Sequence, residues 1–63
     1  MIEKGDSVKI LKGLFRGRIG TIKEEYVYNG LPTYTVSVPS AKASKEDYIA
    51  TANINEIKLV SNG

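Results

Sequence analysis

The chain has no cysteine and no histidine among its 63 residues, and together these absences remove the usual staples of a small fold. No disulfide can cross-link it, and the zinc sites that hold many mini-domains together lack their ligands, so neither metal nor cofactor is expected. Histidine is also the side chain that most often moves protons near neutral pH. Without it, Ser7, Ser37, Ser40, Ser44 and Ser61 have no base partner, and Glu24 and Glu25, adjacent on a candidate strand, point to opposite faces. No catalytic residue is expected, and the chain reads as a non-enzyme. The Gly-Lys-Ser/Thr ending of a phosphate cradle is missing as well. The opening Met-Ile-Glu-Lys-Gly-Asp has no apolar run to serve as a secretion signal or membrane anchor, which sets a cytoplasmic location and no membrane partner as the expectation.

A chain of this length makes a single domain, residues 1–63, that buries only about 60% of its unfolded surface. Nine Lys or Arg stand against seven Asp or Glu, a net charge of +2, too small for total charge to argue nucleic-acid binding. Its distribution is more telling. From Ser7 to Ile22 the chain carries Lys9, Lys12, Arg16 and Arg18 with no acidic residue, whereas Glu24, Glu25, Glu46, Asp47 and Glu56 lie later. Such a stretch is either a solvated surface or a patch that attracts phosphates.

Alternation of polar and apolar residues marks half-buried strands. Ser7 to Leu11 alternates after the Gly5-Asp6 turn signal and reads as strand one. Ile19 to Tyr28 supplies the Thr, Ile, Tyr and Val of strand two, with Gly20 marking a bulge or a tight crossing. Its parity is inconsistent: Ile22 shares a face with Glu24 and Tyr26, while Val27 falls on the other. A bend or bulge near the middle would reconcile them, leaving both faces partly buried. Asn29-Gly30 predicts a tight hairpin, because both residues tolerate positive φ. Strand three, Thr33 to Val38, places Tyr34, Val36 and Val38 on one face, and Pro39 ends it. Ser40 to Asp47 is small and polar and reads as an exposed loop. Tyr48 to Ala52 is a short strand four, Asn53 to Glu56 a single helical turn, and Ile57 to Val60 the last strand. The fold class is therefore all-β. Five short strands escape open edges by curling, which predicts a small five-stranded SH3-like barrel with one short helical turn before the last strand; an OB-like barrel is the alternative.

The pattern Lys4-Gly5-Asp6-x-Val8-x-Ile10-x-x-Gly13-x-Phe15-x-Gly17-x-x-Gly20-x-Ile22 resembles the KOW motif, with Leu14 where many elongation-factor members carry proline. Asn55 to Val60 is similar to the closing strand of such domains. The same barrel pattern is similar to the small SH3-like accessory subunit of photosystem I, through Gly5-x-x-Val8-Lys-Ile10-Leu11, Gly20-Thr21-Ile22 and Tyr34-x-Val36. The KOW resemblance implies an SH3-like barrel, and a binding module of the kind found in NusG-type transcription elongation factors and ribosomal proteins, where it contacts RNA or protein.

The candidate nucleic-acid-binding residues are Lys9, Lys12, Phe15, Arg16, Arg18 and Lys23. Cations on a loop tip can meet phosphates, and Arg can also fork onto them and stack on a base. Phe15 has two roles open to it, stacking on a base and packing on the end of the barrel; as the only Phe of a small core it is read first as packing. Gly13, Gly17 and Gly20 are read as structural. The expected function is a small RNA- or DNA-binding module associated with transcription or translation machinery. The alternative is a protein-docking accessory module that binds a larger complex and no nucleic acid. A monomer is expected in either case.

Overall fold

The computed structural model describes residues 2–40 and 46–62. It is all-β: β1 (Ser7–Ile10), β2 (Ile19–Tyr28), β3 (Leu31–Val38), β4 (Tyr48–Asn53), a 3-10 turn (Ile54–Glu56) and β5 (Ile57–Ser61). The strands form one antiparallel sheet in the order β4-β3-β2-β1-β5. The ladder runs open from β4 to β5, and no pairing joins these two edges among the described residues. The expectation for the loop ahead of β4 lies outside the described residues for positions 41–45.

With no α-helix to cover it among the described residues, the sheet buries its own inner face. Val8, Ile10, Ile22, Tyr34, Val36, Val38, Ala52 and Ile57, joined by Ile2, form one buried cluster. Each follows from strand parity, and each fully buried Val or Ile contributes about 1.5 to 3 kcal/mol relative to exposure. Tyr34, Val36 and Val38 share the inward face of β3 as the alternation predicts. Two hydroxyls of the opposite parity, Thr33 and Ser37, are buried too. Each is satisfied: Thr33 Oγ1 donates to the Leu31 carbonyl at 3.0 Å, and Ser37 Oγ donates to the Asp47 carboxylate at 2.9 Å. Burying a hydroxyl costs little when its hydrogen bond is made.

The β2–β3 hairpin turns on Asn29 (φ 52°) and Gly30 (φ 77°), with Tyr28 opposite Leu31. Two consecutive positive φ values in a two-residue loop are the geometry that suits the right-handed twist of paired strands. The register of the hairpin slips between Ile22 and Glu24. This bulge resolves the conflicting parity of the sequence: Ile22 faces inward opposite Val36, while Glu24 sits opposite Thr35. The second half of β2 differs from expectation. Lys23 to Tyr28 is exposed on both faces instead of partly buried, because β1 pairs only with Ile19 to Thr21 and the hairpin runs on past it.

Gly20 is the tight crossing. A Cβ there would lie 2.5 Å from Val36 Cγ1 and 2.7 Å from the Ser37 carbonyl oxygen, so even a methyl group has no room, and the bulge itself falls beyond Ile22. At the far end, Asn53 caps the 3-10 turn. Its side chain accepts from the Asn55 N–H at 2.8 Å, and Glu56 Oε1 accepts from the Asn53 N–H at 3.0 Å. This reciprocal capping box turns the chain from β4 into β5.

Gly20→Ala is expected to destabilise the chain by about 2 kcal/mol through overpacking, read as a lowered urea midpoint with an unchanged denaturant slope. A midpoint equal to that of the parent would remove the close approach as a constraint on the fold.

Candidate nucleic-acid interface

The β1–β2 loop is built from its own backbone. The Arg16 N–H donates to the Gly13 carbonyl at 3.2 Å and the Arg18 N–H to the Phe15 carbonyl at 2.9 Å, making two successive turns. At the base, the Ile10 N–H donates to the Arg18 carbonyl at 2.9 Å and the Gly17 N–H to the Ile10 carbonyl at 2.7 Å. Gly17 (φ 86°) occupies the third position of the second turn, where positive φ favours glycine, and Gly13 (φ 90°) opens the first. A bond of 2.8 Å from the Leu11 N–H to the Glu56 carbonyl ties the loop to the 3-10 turn.

Phe15 anchors the loop. It is half-buried, packs against the core cluster, and has its ring centroid 5.4 Å from that of Tyr48 at an interplanar angle of 36°, a tilted pair that adds to simple burial. One neighbour in sequence away, Leu14 is 93% exposed. An open groove of about 270 Å³ separates the loop from β4, with Lys12, Leu14 and Phe15 on one side and Ile49 and Thr51 on the other.

Lys9, Lys12, Arg16, Arg18 and Lys23 are all exposed, and none is held in an ion pair among the described residues. Arg18 is braced by a hydrogen bond from Nη2 to the Pro39 carbonyl; its other guanidinium donors remain free for a ligand. Lys12 and Arg16 lie within the loop. Lys9 points from the outer face of β1, with Ile19 beside it on β2 and Lys58 beside it on β5. Lys23 stands apart: it occupies the bulge, four residues along β2 from Ile19, or roughly 13 Å at the rise of an extended strand.

Lys58 is the residue that sequence reasoning missed. Like charges directly opposite in a ladder are destabilising, and here two lysines occupy adjacent register positions on an exposed face. The alternation of Ile57, Lys58 and Leu59 could have placed Lys58 outward, but its neighbour depends on a pairing between the two ends of the chain. Among the described residues no group of acidic residues could hold a metal ion, and no helix is long and apolar enough to cross a membrane.

Tyr34 sits in an environment that opposes its ionisation. Its burial, followed by the charge of Glu25 and a long hydrogen bond to the Glu25 carboxylate at 3.5 Å, pushes the phenol above its ordinary value of 10.0. All three causes disfavour the phenolate.

No family model, curated protein or solved structure matches the chain.

Since the folded state holds the neutral Tyr34 more tightly than the unfolded chain does, its contribution to stability is complete below pH 10.0 and is lost as pH rises through the folded-state value. Glu25→Gln is expected to lower the Tyr34 value and shift its ionisation to lower pH. Ultraviolet titration of tyrosinate, compared with a Tyr34→Phe control, reads both; an unchanged Tyr34 titration in the Gln variant would remove Glu25 as a cause.

Proposed function

We propose that this chain is a small nucleic-acid-binding module of the KOW type, an SH3-like barrel whose loop end engages a phosphate backbone within the transcription or translation machinery. The observation that carries the reading is the Lys9–Lys58 pair. Two like charges in register repel each other on the exposed face of β1 and β5, and a bound phosphate would turn that repulsion into shared attraction. Lys12 and Arg16 extend the positive surface onto the loop. Arg18 braces the loop on Pro39 and offers its remaining donors to phosphate.

Phe15 serves this site by holding the loop against Tyr48 and the core, and the contacts to nucleic acid come from cations. Binding of this kind is largely independent of sequence and falls steeply with salt, because each neutralised phosphate releases counterions. A strand long enough to follow β2 would reach Lys23; a shorter one would not.

A residue-resolved NMR titration with short single-stranded RNA and with duplex DNA, at low and near-physiological salt, tests the proposal. Shifts are expected at Lys9, Lys12, Arg16, Arg18 and Lys58, shrinking as salt rises. Lys58→Gln is expected to reduce the salt slope by about 0.7 for a single strand or about 0.9 for duplex DNA, the value of one lost phosphate contact. No shifts at either salt would refute the reading in favour of a protein-docking module.

A further inference from the structure

Each free edge of a β-sheet carries unpaired N–H and C=O groups that can template pairing with another chain, and natural sheets blunt such edges with charges, proline or bulges. Three stretches of edge are available here. The distal part of β2 carries Lys23, Glu24 and Glu25 together with the bulge beyond Ile22. On β5 the edge carries Lys58, and its pairing with β1 slips between Ser7 and Val8. The edge of β4 has none of these devices. Tyr48-Ile49-Ala50-Thr51-Ala52-Asn53 contains no charge and no proline, and its ladder with β3 runs through six partners without a register shift.

Among the described residues no backbone hydrogen bond reaches β4 from a strand other than β3, and the groove beside it is open. Ile49 is 62% exposed and Tyr48 45%. We propose that β4 pairs with β4 of a second copy of this chain, forming a two-fold dimer with one continuous sheet.

Charge favours a second copy as the occupant. A segment opposed to itself normally brings like charges together, but an uncharged one does so in no register. The two-fold axis also restricts the pairing. With the axis perpendicular to the sheet, opposed residues must share a face, so Ile49 and Thr51 oppose outward residues while Tyr48, Ala50 and Ala52 oppose inward ones. Centring on Ala50 sets Ile49 of one copy against Thr51 of the other, a β-branched pair, and Tyr48 against Ala52, a large residue against a small one. Every residue from Tyr48 to Ala52 then has a partner, and the interface is isologous. This dimer does not rest on the nucleic-acid reading, though Lys12 lines the same groove beside β4, and it departs from the monomer expected from sequence.

Analytical ultracentrifugation over a dilution series tests the pairing, with two double variants at exposed positions. The parent chain is expected to show twice the monomer mass at high concentration and to dissociate on dilution. Ile49→Lys with Thr51→Lys sets lysine against lysine twice across the axis and is expected to give a monomer. Ile49→Glu with Thr51→Lys sets opposite charges together and is expected to dimerise at least as tightly as the parent. A parent chain still monomeric at about 1 mM, the weak end of specific association, would overturn the proposal. Dimerisation unaffected by the lysine pair would overturn it equally, and loss of the dimer in the opposite-charge variant would overturn the Ala50-centred register. Should a variant unfold, dilution-dependent NMR shifts in the parent decide: shifts at Tyr48 to Asn53 support the pairing, and their absence overturns it.

Discussion

The close approach at Gly20 is the constraint on which the other features of this chain depend. A sheet with no covering helix among the described residues must build its core from its own inner face, so adjacent strands have to approach closely there. Gly20 lies on the inner face, paired with Val8 on β1 and pressed against Val36 of β3. The missing side chain lets those two valines become fully buried. From that contact outward, Ile10 and Ile57 extend the core toward the loop end, and Tyr34 and Ala52 extend it toward the hairpin.

Much of this architecture is readable locally. Asn29-Gly30 specifies its turn because the backbone conformation is a property of those two residues. Strand three declares its inward face by alternation, and Asn53 to Glu56 reads as a single helical turn. Even the bulge in β2 leaves a local trace, since Ile22 and Val27 cannot share a face with an unbroken register. What escapes is decided by partners distant in sequence. Nothing between Lys23 and Tyr28 says that β1 will have ended, so the exposure of that segment follows only from the assembled sheet. Lys58 becomes a neighbour of Lys9 only when the last strand pairs with the first, and the tilted contact of Phe15 with Tyr48 likewise joins a loop to a remote strand. The positive φ of Gly13 and Gly17 is a local property of the kind glycine signals; the distance of Lys23 from the loop cations is not.

The candidate site combines a fixed base with an exposed rim. Backbone hydrogen bonds within the loop, the tie to Glu56 and the Phe15 anchor hold the chain in place, while Lys12 and Arg16 extend from it into solvent. Binding through such a surface does not require the scaffold to rearrange. Ordering only the long side chains keeps the entropic cost of association low.

The pairing of β5 with β1 also orders the ladders in time. The β2–β3 hairpin closes a loop of two residues, whereas Ile10 meets Ile57 only after nearly the whole chain has been gathered. Loop-closure entropy grows with the span enclosed, and contacts between distant residues slow folding. The hairpin is thus the cheapest nucleus and the terminal strand the costliest addition. The Lys9–Lys58 neighbourhood comes into being at that last step, so a chain still emerging from synthesis has the hairpin before it has the two-lysine surface.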